Sequence, residues 1–176
     1  MSSIIKIIEK NFPGSKEIDG NGIVIDERVR EMCKQNVCGH YDRNWTCPPA
    51  VSSLDEIRCK LAQFNSAVII FRIYGIKSNF DLKGMVDGIS DFRSRLVKMK
   101  HDFPEDGEFM ILGVGSCLLC EKCAYIDGKK CKNPEDAFIS VEASGIDVMR
   151  LMKDNGLNYH NGPKTVTYIG MVFYSY

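Results

Sequence analysis

Residues 66–74 read Ser66-Ala67-Val68-Ile69-Ile70-Phe71-Arg72-Ile73-Tyr74, and the fold class turns on them. The run is rich in β-branched and aromatic side chains and nearly continuous in apolarity. That suits a central strand covered on both faces. Covering such a strand takes amphipathic helices, and the flanking sequence supplies them. Upstream, Leu54, Ile57, Leu61 and Phe64 recur at helical spacing behind Ser53, with Glu56 placed three residues on, the reciprocal capping-box pattern. Downstream, residues 81–100 predict a long helix with Met85, Ile89, Phe92, Leu96 and Met99 as its buried stripe. Further strands are expected over 22–26, 109–114 and 164–174. Further helices are expected over 3–10, from Pro134-Glu135-Asp136 onward, and over 146–153, the last closed by Asn155-Gly156. Strands and helices alternate, so the fold class read from the sequence is α/β. One domain over residues 1–176 has a sheet covered by helices and cysteine-rich metal-binding loops. A parallel or a mixed sheet fits equally. Segment 166–176 is expected to offer an exposed strand edge for pairing.

The strand over 109–114 runs directly into residues 115–134, GSCLLCEKCAYIDGKKCKNP. Cys117, Cys120, Cys123 and Cys131 form a C-x2-C-x2-C-x7-C run. Two x2 steps in succession bring three thiolates around one compact point, and a fourth arrives after a short loop. A [4Fe–4S] cubane offers separate iron corners to sulfurs spread along one winding loop, and the first three ligands match the bacterial ferredoxin run. The fourth departs from it, with a longer spacing and a proline three residues later. Structural zinc, which more often takes two separated cysteine pairs, is the alternative. Gly113, Gly115 and Gly128 fit a loop that turns sharply around a cluster.

A second group precedes it. Residues 33–49 read CKQNVCGHYDRNWTCPP, placing Cys33, Cys38 and Cys47 in a C-x4-C-x8-C pattern. Cys47-Pro48 echoes the Cys-Pro that closes a ferredoxin run. Three cysteines leave one cubane corner open, for a fourth ligand or for a substrate. His40 and Cys59 are the candidates for completing it, although a solvated histidine and a free thiol are the plainer readings of both. Tyr41 and Trp45, with Tyr125, would shield a cofactor from water, and Arg43 would offset the charge of a thiolate-bound cluster. As ordinary residues, Trp45 belongs to the core and Arg43 to the surface. Glu142 and Asp147, in Glu142-Ala143-Ser144-Gly145-Ile146-Asp147, either cap the following helix or reach the cluster region, and capping is the commoner role for acids there.

Composition narrows the partners. Lysine plus arginine equals aspartate plus glutamate at 23 each, so the net charge is zero and a nucleic-acid partner is not expected. No apolar run approaches the roughly 18 residues of a membrane span. Lys6, Glu9 and Lys10 interrupt the N-terminal apolar stretch, which excludes a signal peptide reading and points to the cytoplasm. Eight cysteines in a reducing compartment indicate metal ligation over disulfides.

The segments CGHYDRNWTCPP and GSCLLCEKCAYIDGKKCKNPEDAFISVEASGIDV resemble the bacterial and archaeal family of predicted metal-binding proteins, a domain of unknown function. The resemblance lies in a Trp-x-Cys-Pro-Pro segment paired with a cysteine-rich loop and a Pro-Glu-Asp and Glu-Ala-x-Gly-Ile-Asp stretch, and it covers most of the chain. It implies metal binding through Cys33, Cys38, Cys47, Cys117, Cys120, Cys123 and Cys131. The function expected is a soluble iron–sulfur protein with one [4Fe–4S] cluster or two, serving electron transfer with a redox partner protein or as a redox-enzyme subunit. A zinc-stabilised interaction module and an enzyme acting at an open cluster corner are the alternatives.

Overall fold

The computed structural model describes residues 3–105 and 107–175. Among them, five α-helices and four strands occur in the order α1 (Ser3–Asn11), β1 (Lys16–Asp19), α2 (Glu27–Lys34), α3 (Leu54–Leu61), β2 (Ser66–Gly75), α4 (Leu82–His101), β3 (Phe109–Leu112), α5 (Val148–Asp154) and β4 (Thr165–Tyr174). The fold is α/β. All strand pairings are antiparallel, in the order β1-β2-β4-β3, which settles the sheet as neither parallel nor mixed.

The nearly continuous apolarity of β2 is explained by its place inside the sheet. Side chains alternate across a strand. Val68 and Ile70 face one core layer with Ile4, Ile8 and Phe12 of α1 and Phe92, Leu96 and Met99 of α4. Ala67 and Ile69 face a second layer with Ile57 and Leu61 of α3 and Leu151 and Met152 of α5. The strand β4 divides likewise, Val172 and Tyr174 to the first layer and Met171 and Phe173 to the second.

Helix ends follow their local chemistry. Ser53 and Glu56 form the reciprocal cap of α3. Asp81 caps α4 by accepting from Gly84 N–H at 3.0 Å. Asp147 caps α5, and Gly156 takes a positive φ just beyond it.

Three expectations fail. Residues 22–26 are not a strand: the edge of β2 is taken by Lys16–Asp19, and a 3-10 turn follows over Gly20–Gly22, capped by Asp19. Gly20 lies so close to the 64–66 backbone that a Cβ there would sit 3.0 Å from Phe64 O. Pro134-Glu135-Asp136 forms a turn, not a helix. Lys100 of α4 holds Asp136 Oδ1 at 3.1 Å, and the chain then extends to make a parallel bridge between Ser140 and Gly113. Finally, β4 is no exposed edge: it pairs with β2 on one side and β3 on the other, and residues 167–174 are buried. Tyr176, the end of that expected edge, lies outside the described residues.

Candidate metal centre

The later cysteine loop hangs from the end of β3. Gly113 is pinned between Ile139 O, which accepts its N–H at 2.7 Å, and Val141 N–H, which donates to its carbonyl at 3.1 Å. Gly115 then takes φ 54°, where a side chain would strain the backbone, and the chain turns into the loop. Cys117, Cys120, Cys123 and Cys131 line one cavity of about 20 Å³ together with Trp45, Thr46 and Asn133. After Cys123 a 3-10 turn, Ala124–Asp127, closes on Gly128 and delivers the chain back to Cys131. A polar donor already addresses one of the sulfurs: Asn133 Nδ2 donates to Cys120 Sγ at 3.4 Å. Burial pushes the Cys117 thiol up, with Cys131 and Cys123 adding to the shift and Arg93 opposing it.

The earlier group is assembled from a helix end and a turning loop. Cys33 lies on the last turn of α2, Cys38 is exposed in the loop, and Cys47 follows the buried Asn44 and Thr46. Asn36, Gly39 and Asp42 all have positive φ, which folds residues 35–47 back on themselves. Asn44 Oδ1 accepts from Thr46 N–H at 3.0 Å and from Thr46 Oγ1 at 2.7 Å, while its amide Nδ2 donates to His40 O at 3.5 Å. Burial is the main cause raising the Cys47 thiol, and Cys38 and Cys33 add to it. Cys59 is exposed on α3. His40 takes part through its carbonyl, which accepts from Arg43 N–H at 3.3 Å.

Aromatic and polar contacts lock the two groups together. Trp45 Nε1 donates to Lys129 O at 3.0 Å, and its ring meets Tyr125 edge-on at 5.0 Å. Tyr125 OH donates to Asp42 Oδ1 at 2.6 Å, and Cys117 N–H to Thr46 Oγ1 at 3.1 Å. Trp45 is 36% exposed, so it latches the loops at the cavity rim instead of filling the core. Tyr41 and Arg43 lie outside the cysteine cavity, around a shallow depression with Asp42, Tyr125 and Gly128, and Arg43 is exposed.

The cation buried beside the thiols is Arg93, which the sequence reading passed over. It is 5% exposed on α4, and its Nη2 donates to Val114 O at 2.7 Å and Gly115 O at 2.9 Å. Its Nε has no acceptor among the described residues. The ionisable groups acting on it are Cys117 and Cys47, one from each group. A signal was present in the sequence: Arg93 stands four residues after Ile89 and three before Leu96, a charge on the apolar stripe of α4.

All eight cysteines are free thiols, so the sulfurs are not paired with one another. Among the described residues no three His, Cys, Asp or Glu side chains are gathered tightly enough to form a ready-made ion site. Filling either group therefore requires its loop to adjust. In donor type the later loop fits a thiolate-ligated cofactor: four cysteines line one cavity, a side-chain amide donates to one of their sulfurs, and a buried cation lies near.

Comparison with known families matches residues 16–174 to the predicted metal-binding proteins of DUF2284. The chain belongs to the DUF2284 family. The match runs from β1 to β4 and takes in both cysteine groups, so the sheet and the loops it carries are features of one DUF2284 unit. Helix α1 precedes the matched region although it contributes to the core. No curated protein and no solved structure matches this DUF2284 chain. No helix among its described residues is long and apolar enough to cross a membrane.

Proposed function

We propose that this DUF2284 protein is an iron–sulfur protein that passes electrons to and from a partner protein. Cys117, Cys120, Cys123 and Cys131 hold a [4Fe–4S] cluster, and Cys33, Cys38 and Cys47 contribute to a second metal centre. The observation that carries this reading is that four cysteines of one loop line a single cavity near a buried arginine that has no carboxylate partner among the described residues. A guanidinium taken out of water needs an anion near it. Neutral thiols do not supply that charge, whereas metal-bound thiolates at Cys117 and Cys47 do. The cluster supplies reversible one-electron chemistry when bound. The chain's own part is to hold the sulfurs, direct Asn133 Nδ2 at one of them, and keep water back with Trp45 and Thr46. Exposed Leu118, Leu119 and Ile126 on the same loop give a docking partner an apolar rim close to the sulfurs.

Purification without oxygen, followed by quantification of iron, acid-labile sulfide and zinc, tests the reading. Iron and sulfide in equal amounts are expected, with the share held by the later loop lost when Cys117 and Cys120 are both changed to Ser. Stoichiometric zinc without sulfide in protein kept free of oxygen would replace this reading with a zinc-stabilised module.

A further inference from the structure

An open strand edge exists in this sheet, but it belongs to β2. Strand β1 pairs only with residues 66–69 of β2. Before Lys16 the chain is in the turn that leaves α1, with Gly14 at φ 82°, so β1 reaches no further. Residues 70–75 keep β4 on one side and have no strand on the other. Two bonds at the ends of β2 fix where its backbone groups point. Ile76 N–H donates to Lys164 O at 2.8 Å, on the β4 side, and Asn65 O accepts from Gly20 N–H at 3.2 Å, on the β1 side. Backbone groups alternate sides along an antiparallel strand. Even-numbered residues of β2 therefore face β4, and Phe71, Ile73 and Gly75 aim their N–H and C=O groups at the open side. Among the described residues none of those groups has a hydrogen-bond partner. Ile73 is 46% exposed and Gly75 is exposed. Such a row is a template for another strand.

The side chains of the same segment define what pairs there. Arg72 lies on the α4 face, where Asp91 Oδ2 already accepts from Tyr74 OH and from Arg95 Nε, each at 2.8 Å. Arg72 Nε is 3.9 Å from that oxygen, too far for a hydrogen bond, and it is buried without an acceptor among the described residues. Two guanidiniums thus share one carboxylate, which leaves positive charge in surplus beside the open backbone. On the opposite face Phe71 packs partly buried against the second core layer and Ile73 is exposed. A second copy of the strand matches this edge badly. Antiparallel pairing centred on Ile73 would set the two Arg72 side chains diagonally on one face, and like charges there repel.

We propose that residues 71–75 of β2 are a docking edge, at which an extended segment of a partner protein adds antiparallel with an acidic residue opposite Arg72 and apolar residues opposite Phe71 and Ile73. The backbone groups of Phe71, Ile73 and Gly75 supply affinity, and the side chains supply selectivity. The residue opposite Arg72 sits in a non-hydrogen-bonded pair, where side chains stand closest. Its carboxylate therefore reaches the guanidinium that Asp91 leaves without a hydrogen bond. The inference is independent of what the cysteines hold.

The test uses the full-length protein and two end-blocked peptides, Thr-Val-Glu-Val-Thr and Thr-Val-Lys-Val-Thr. Residue-resolved amide exchange by NMR and peptide affinity by fluorescence anisotropy are measured. In the free protein the amides of Phe71, Ile73 and Gly75 are expected to exchange fast, and those of Arg72 and Tyr74, bonded to β4, slowly. Saturating glutamate peptide slows the first three and leaves the other two unchanged. Arg72→Gln weakens the glutamate peptide about tenfold, the loss of one charge-assisted contact, and Arg72→Glu reverses the preference in favour of the lysine peptide. Should Arg72→Glu not fold, Arg72→Gln and the two peptides on wild type decide. Equal affinity for the two peptides overturns the proposal, as does unchanged exchange of Phe71, Ile73 and Gly75 at millimolar glutamate peptide. Slow exchange of those amides without peptide, growing with protein concentration alongside a dimer in sedimentation, also overturns it and gives the edge to a second copy.

Discussion

At the scale of single residues, Arg43 and Arg93 show why charge is harder to read than sulfur. The seven cysteines in the two groups announce themselves by spacing, because a chelate needs its donors close in sequence or in a loop. A counter-charge needs no such spacing. Arg43 sits in the cysteine segment and is exposed, while Arg93, far off in the chain, is 5% exposed and acts on Cys47 and Cys117. Arg93→Gln keeps a donor for the carbonyls of Val114 and Gly115 but removes the charge. The expected result is a loss of about 1 kcal/mol or less in metal-free stability, since part of a hydrogen-bond network survives. In the iron-loaded protein the same change is expected to shift the reduction potential to more negative values, because an anionic centre has lost a buried cation. Urea unfolding of the metal-free form and redox titration of the loaded form separate the two effects. An unshifted potential would rule out the counter-charge role. Glu142 carries a related lesson. Two acids flank the start of α5, and the sequence offers both as caps, yet the structure uses only Asp147. What distinguishes them is the Gly145 turn between them, with φ 81°, which separates Glu142 from the helix.

At the scale of elements, periodic or strongly apolar segments are legible, the short β3 and α5 among them, whereas the polar edge strand Lys16–Asp19 is not. Segments α3, β2 and α4 were read from burial pattern and caps. Residues 22–26 have strand-like composition, but pairing partners decide strands, and four less apolar residues, Lys16–Asp19, already occupy that edge. Spacing puts Cys33 in the first cysteine group and leaves Cys59 as a candidate fourth ligand or a free thiol, and element placement separates them: Cys33 is half-buried at the end of α2, Cys59 exposed on α3. Alkylation of the native metal-free protein, followed by mass spectrometry, should therefore label Cys38 and Cys59 first, with Cys47 and Cys117 slow because burial and raised thiol pKa both retard attack. Metal loading should then protect Cys38 and leave Cys59 reactive. Equal protection of Cys59 would make it a ligand. The placement of Cys33 depends on α2, whose cap has its own pH signature. Hydrogen bonds from the Arg28 side chain, then from Arg28 N–H, hold the Asp26 pKa at about 2. An acid whose folded pKa lies below its unfolded value of about 3.9 stabilises the fold above that value and loses this contribution as pH falls through the folded pKa. Amide exchange in α2, corrected for intrinsic rates, should stay flat from neutrality down to about pH 4 and rise below it. Asp26→Asn should show the faster exchange at neutral pH already.

At the scale of the whole molecule, the sheet and the sulfur loops have different sources of stability. The sheet is secured by two apolar layers. The loops are held to each other by a few polar and aromatic contacts around Trp45 and Tyr125, so a bound metal would add most of their stability. Helix α1 tests this division. It lies before the DUF2284 match and touches neither cysteine group in any contact described above, but Ile8 and Phe12 are fully buried, and the Phe12 ring meets Phe92 at 4.9 Å. Removing residues 1–14 strips Ile4, Ile8 and Phe12 from the first core layer. At about 1.5–3 kcal/mol for each buried large apolar side chain, the three come to about 4.5–9 kcal/mol, a large part of the roughly 5–15 kcal/mol available to a domain. The shortened metal-free chain is therefore expected to lose cooperative urea unfolding or to keep only a marginal transition. The milder Ile8→Ala should lower stability by about 2–5 kcal/mol while the chain stays folded. In that variant, iron and sulfide per chain should equal the wild-type values, because the sulfurs, Arg93 and Trp45 keep their partners on α4 and the two loops. A loss of iron from Ile8→Ala, at a stability that still leaves the chain folded, would mean that the core layer under α1 and α4 sets the metal site as well as the fold.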